Sequence, residues 1–166
     1  MQIEMNIKGL MIDPITNMPI IILRDQEGQR ILPIWVGVFE ANAIALQIEN
    51  VQTPRPMTHD LLKNIIDDLS AQVERIVVTE LKENTFYASI TVQQDGSEIE
   101  IDSRPSDAIA LAVRAEAPIF AAEDVIEESA IEFEGEDVNE EEIVSEFKQF
   151  LEHVTPDEFA ETSDDD

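Results

Sequence analysis

The feature that most limits how this chain can fold is an order that occurs twice: three strand-patterned runs, then two helical ones. The first round reads "QIEMNIKGLMID", "PIIILRD" and "QRILPIWVG", followed by helices in "VFEANAIALQIEN" and "MTHDLLKNIIDDLSAQ". The second reads "VERIVVTELK", "NTFYASITVQ" and "SEIEIDS", followed by a helix in "SDAIALAVRA" and a further helical turn or two in "AAEDVIEES". Strands are marked by alternation, helices by apolar residues three and four apart. The segments "DQEG", "KEN" and "QDG" read as tight turns, so consecutive strands close into antiparallel meanders. Strands that arrive in blocks argue against a doubly wound nucleotide fold. The string AIAL, shared by "EANAIALQIE" and "PSDAIALAVR", gives weak support to a duplicated unit. The expected class is α+β, an antiparallel or mixed sheet from two β3α2 units, with a C-terminal helical extension.

Helix boundaries follow from caps and prolines. The first helix, with Phe39, Ala43, Leu46 and Asn50 at helical spacing, is expected to be largely buried, with Trp35 and Phe39 in the core. Leu61, Leu62, Ile65, Ile66 and Leu69 form one apolar stripe on a second helix from Thr58, its N-cap, to about Ser70. In the third helix Arg104 is the N-cap, Pro105 the first helical position and Asp107 the third.

Charge divides the chain. Residues 1–130 hold 22 acids and 9 bases, a balance of −13, whereas residues 131–166 hold 15 acids and 1 base, a balance of −14. The expected domains are therefore a 1–130 α+β domain and a 131–166 extension. In the extension an acidic linker precedes a helix striped by Ile143, Phe147, Phe150, Leu151 and Val154. Thr155 caps a further turn there, Lys148 makes a one-turn pair, and the final "DDD" is expected to be disordered. A surface this acidic favours basic partners, bound cations or a high-salt interior.

The chain has no cysteine, which removes disulfides, thiol nucleophiles and thiolate metal sites. Histidine occurs only as His59 and His153, so a two-histidine zinc helix is excluded and any catalytic metal would be a hard ion on carboxylates, magnesium or manganese. The longest apolar run, "ILPIWVGVF", is far short of the ~20 residues of a membrane span. No membrane association is expected, and the expected location is cytoplasmic.

No P-loop, GxGxxG or G-x-S-x-G is present. Polar residues gather instead at two Arg-Pro helix starts, "RPMTHD" at 55–60 and "RPSD" at 104–107. Capping alone explains Asp107 beside unpaired helix N–H groups. A pair with Arg104 or Arg114 explains Asp102, and a solvated first turn explains His59. Taken as a set, they match the needs of phosphodiester hydrolysis. Glu40, Asp102 and Asp107 are the candidate metal ligands; His59, Asp60, Asp102 and Asp107 the candidate catalytic groups; Arg55, Arg104 and Arg114 the cations for phosphate.

The blocks "LPIWVGVFEANAIAL", "RPMTHDLL" and "IDSRPSDAIALAVRAEAPIF" resemble the three signature blocks of the bifunctional nuclease family, in the same order and over roughly residues 1–130. The resemblance implies an α+β fold, homo-oligomerisation and nuclease activity toward DNA and RNA. Its polar positions fall on Glu40, Arg55, His59, Asp60, Asp102, Arg104, Ser106, Asp107 and Arg114. The expected function is thus a metal-assisted nuclease. The alternative is a non-catalytic regulatory or protein-interaction module whose C-terminal helix engages a partner.

Overall fold

In the computed structural model, which describes residues 1–132, the chain builds one eight-stranded sheet in the order β6-β5-β4-β7-β1-β2-β3-β8. The first meander is β1 (Gln2–Ile12), β2 (Pro19–Asp25) and β3 (Arg30–Trp35), followed by α1 (Val38–Ile48) and α2 (Thr58–Asp68). The second is β4 (Gln72–Lys82), β5 (Thr85–Gln94) and β6 (Ser97–Ser103), followed by α3 (Pro105–Ala115), β7 (Ile119–Ala122), α4 (Glu123–Ser129) and β8 (Ile131–Glu132). The strand-then-helix order thus recurs, with β7 inserted in its second round. That four-residue strand, which sequence periodicity was too short to register, joins the two meanders. It runs parallel to β4 through Ile76↔Ile119 and antiparallel to β1 through Met5↔Ile119. The other neighbours in the sheet are antiparallel, so the sheet is mixed.

Turn chemistry sets the hairpins. Glu83 and Asn84 (φ 52° and 61°) and Asp95 and Gly96 (φ 51° and 77°) both take the two positive-φ positions that match a two-residue turn to strand twist. Between β2 and β3 the buried Asp25 accepts the N–H groups of Gln29 and Arg30 and the Arg30 Nε–H, at 3.0, 3.2 and 3.0 Å.

One face of the sheet carries the helices. Ile21, Leu23, Leu32 and Ile34 of the first meander and Ala88, Ile90 and Val92 of β5 pack there with Ile44, Ile109, Leu111 and Val125 from the helices. Helix α3 lies at the centre, where Ala108, Ala110 and Ala112 are fully buried and their small side chains allow close approach. Ile20, Ile22 and Ile31 form a smaller cluster against which the half-buried Trp35 packs, its indole N–H donating to Asp13 at 3.2 Å.

Three expectations are corrected. Met57, not Thr58, is the N-cap of α2, because the Asp60 carboxylate reaches back to the Met57 N–H at 2.9 Å and so sets where the helix begins. Helix α1 buries only Ala41, Ala43 and Ile44 fully, and Phe39, expected in the core, is 87% exposed. His59, read as a solvated first-turn residue, is instead the one buried residue of α2, while the stripe of that helix faces outward: Leu61, Ile65 and Leu69 are exposed and only Ile66 packs on the core. The C-terminal helix, its stripe, the Thr155 cap and Lys148 lie outside the described residues, as does most of the 131–166 extension.

These placements separate two substitutions that look alike in the sequence. Ile109→Ala, at a fully buried site, is expected to lower unfolding free energy by about 2–5 kcal/mol. Leu61→Ala, on the exposed face, is expected to change it by less than about 0.5 kcal/mol; urea melts of both variants give the comparison.

Candidate active site

The starts of α1, α2 and α3 meet where two Arg-carboxylate systems interlock. Helix α3 begins at Pro105 with Arg104 as N-cap, as the sequence implies. Asp107 does more there than face the helix dipole: its Oδ1 lies 2.9 Å from His59 Nε2, and its Oδ2 accepts the Arg104 Nε–H at 2.8 Å. Arg104 Nη2 also donates to Glu40 Oε1 at 2.7 Å, so one guanidinium bridges the first turn of α1 and the first turn of α3. Bonds to Asp107 first, and then to Glu40, raise the Arg104 pKa, so it stays cationic. Its Nη1 group has no partner among the described residues.

Arg114, in the last turn of α3, makes the second system. Its side chain is only 5% exposed. Nε donates to Asp60 Oδ1 at 2.7 Å, Nη1 to the Ala110 carbonyl at 2.9 Å and Nη2 to the Ala43 carbonyl at 3.0 Å. All three helices are tied at this one side chain. The Met57 N–H, the Arg114 hydrogen bond and the charges of Arg114 and His59 together hold the Asp60 carboxyl below its usual value, against a smaller opposing effect of burial.

His59 and Asp60 are adjacent, so α2 is fastened to the body in its first turn by an ion pair to Arg114 and a hydrogen bond to Asp107 while its apolar stripe faces out. The result is a groove of about 700 Å³ between α1 and α2, within the ~300–1,000 Å³ of ligand sites. Phe39, Leu46, Met57, Leu61, Leu62 and Ile65 form its apolar wall, and Glu40, His59, Arg104 and Asp107 its polar one. The neutral imidazole that gives its Nε2–H to Asp107 leaves Nδ1 as a base. The site therefore places a histidine held by a carboxylate beside a cation with unused donors.

Of the residues singled out in the sequence, Glu40, His59, Arg104 and Asp107 come together. Asp60 and Arg114 lie beneath them as a bracket, and neither lines the groove. Arg55 is exposed on the loop entering α2, its side chain without a partner among the described residues. Ser106 is buried. Asp102 stands apart: it pairs with Ser89, while the flanking Ile101 and Ser103 pair with Ile90 and Ala88 of the helix-side core. Directly opposed residues share a face, so Asp102 points away from the helices, in line with Glu98 and Glu100. Its expected pairing with Arg104 or Arg114 is absent, since those guanidiniums are engaged by Glu40, Asp107 and Asp60.

The same parity bears on metal binding. Glu40, Asp102 and Asp107 do not converge, the two that lie near one another both bind Arg104, and among the described residues no group of three or more His, Asp or Glu side chains is placed to hold an ion. This donor set does not fit a carboxylate-held hard cation. Among the described residues no helix is long and apolar enough to cross a membrane. The sequence reading passed over Gly37, whose missing side chain leaves the space that the Glu40 carboxylate occupies; its position at the strand-to-helix junction was the available signal.

The model of the bifunctional nuclease domain matches residues 21–134. An uncharacterised protein of Mycobacterium tuberculosis is 36% identical over 165 residues, 96% of this chain and 99% of that protein. Bifunctional nuclease 2 of Oryza sativa subsp. japonica is 30% identical over 118 residues, 69% of this chain but 36% of that protein. Bifunctional nuclease 1 of Arabidopsis thaliana is 31% identical over 105 residues, 61% of this chain and 32% of that protein. The chain thus spans about a third of the plant proteins it matches.

The bracket generates a stability prediction with a pH signature. Arg114→Met is expected to cost about 3 kcal/mol, as when one partner of a buried pair is removed. Because the folded Asp60 pKa is depressed, its contribution is fully present above the ordinary carboxylate value and is lost as pH falls through the lowered one. Asp60→Asn is therefore expected to destabilise at neutral pH and to narrow its gap from the parent on acidification, read from chemical melts across that range.

Proposed function

The chain belongs to the bifunctional nuclease domain family, and from that premise we propose that the groove between α1 and α2 hydrolyses phosphodiester bonds of DNA and RNA. The observation that carries this reading is the contact of His59 with Asp107 beside an arginine that retains two unused donors. A phosphate in the groove accepts from Arg104 Nη1, which opposes the charge that grows on its oxygens in the transition state. Asp107 orients His59, and Nδ1 takes a proton from water as the water oxygen bonds to phosphorus. The bond from phosphorus to the leaving sugar oxygen breaks, and that oxygen takes the proton back from His59 or from solvent. Water as nucleophile needs no 2′-hydroxyl, which makes the scheme indifferent to the sugar. No step is routed through a magnesium or manganese ion, because the carboxylates of the site are committed to Arg104.

The reading has to overcome a net charge of −27, since nucleic-acid affinity ordinarily rests on Lys and Arg. Arg104, 65% exposed, places a cation in the groove, and Arg55 is exposed on the loop leading into it. Salt that screens the distant acids, with a Debye length of ~3 Å at 1 M, leaves such contacts less affected.

Cleavage of labelled RNA and DNA by the purified chain, with magnesium, manganese or EDTA, tests the proposal. His59→Gln is expected to lose about 10²–10⁴-fold in rate with its thermal transition still cooperative, and Asp107→Asn to lose activity through the wrong tautomer. Asp102→Asn is expected to cut like the parent. Equal activity in the parent and His59→Gln, or loss in Asp102→Asn alone, would contradict this assignment.

A further inference from the structure

The exposed apolar wall of the groove has no role in the chemistry just described. Phe39 is 87% exposed, and Met57, Leu61 and Ile65 are 45%, 52% and 47% exposed. Each large side chain left in water forgoes a stabilisation that burial would have given it, and here they cluster in one cavity with His59, Arg104 and Asp107. Phe39 directly precedes Glu40, the residue that holds Arg104 from α1. A ligand filling this groove therefore meets a flat aromatic and aliphatic surface and a cation at once.

We propose that the groove seats unpaired bases, with Phe39 as a stacking platform, and that the site accordingly acts on single-stranded and not on duplex nucleic acid. The inference rests on the proposed nuclease reading and specifies its substrate. A nucleotide is the ligand that joins an anion to a flat apolar face, and it matches the two walls in that order. In a duplex each base is covered above and below and shows only its edge in a groove, so an apolar wall finds no face to cover. An unpaired strand offers one face per base, and stacking on an aromatic side chain needs no sequence readout. The unused Nη1 donors of Arg104 in the same groove call for a ligand that carries an anion beside its flat face. Arg55, exposed on the loop that leads into α2, is placed to meet the backbone of a strand continuing past the groove.

The test uses the full chain with a short fluorescein-labelled oligonucleotide, alone and annealed to its complement, and measures binding by anisotropy and cutting by gel. The expected result is binding and cutting of the single strand at least about ten-fold better than of the duplex. Phe39→Ala is expected to weaken single-strand binding about ten-fold and Phe39→Trp to restore it; the position is exposed, so folding is not at stake. Equal cutting of the two forms, or single-strand binding unchanged in Phe39→Ala, would overturn the inference and leave the nuclease reading standing. No cutting of either form would overturn the nuclease reading. Sedimentation showing a parent oligomer that Phe39→Ala converts to monomer, with oligonucleotide binding unaffected, would assign the groove to a second copy and also overturn the inference.

Discussion

One buried guanidinium decides where α2 sits. An isolated helix of 11 residues is marginal in water, and α2 buries too little apolar surface to be held by its stripe. What holds it is Arg114, which spends Nη2 on an α1 carbonyl, Nη1 on its own helix and Nε on Asp60 of α2. A charge this deeply buried is tolerable only when its donors are satisfied, so the three partners and the helix positions specify one another. With Asp60 fixed, the adjacent His59 is carried against Asp107, and the outer surface of α2 becomes the wall of an open groove in place of a core contact.

The second arginine makes the site chemically usable in an acidic chain. Glu40 and Asp107 both accept hydrogen bonds from Arg104, at 2.7 and 2.8 Å. With Arg104 cationic, both stay available as acceptors: Asp107 to fix the histidine, Glu40 to aim the guanidinium. The absence of a side chain at Gly37 lets Glu40 fold into that place. The first turns of the three helices thus carry the interlocking polar contacts, whereas the sheet beneath is packed mainly by aliphatic side chains.

Much of this is legible in the sequence. Alternation and turn residues gave the six long strands, and the Arg104, Pro105 and Asp107 spacing gave the start of α3. The two Arg-Pro helix starts drew attention to His59, Arg104 and Asp107, whose side chains meet in the fold. The failures share a physical origin: local pattern reports that a residue is apolar or capping, and not what lies across from it. The stripe on α2 is a true helical stripe, but nothing covers Leu61 or Leu69 among the described residues. Asp102 was grouped with Arg104 because they are two residues apart; strand parity sends it to the other face. Arg114 read as a cation for phosphate, and only the packing of α1 and α2 over α3 reveals it as a bracket. The twofold order of strands and helices survives in the fold, with β7 as the piece that welds its halves into one sheet.

The proposed chemistry turns on Asp107 holding His59 in one orientation with Nδ1 as its base. Nitrogen NMR of the chain labelled in its histidine rings, at a pH where the imidazole is neutral, reads this directly. His59 is expected to hold its proton on Nε2, with Nδ1 showing the shift of an unprotonated nitrogen, and Asp107→Asn to disturb this. A proton on Nδ1, or a tautomer average that Asp107→Asn leaves unchanged, would contradict it.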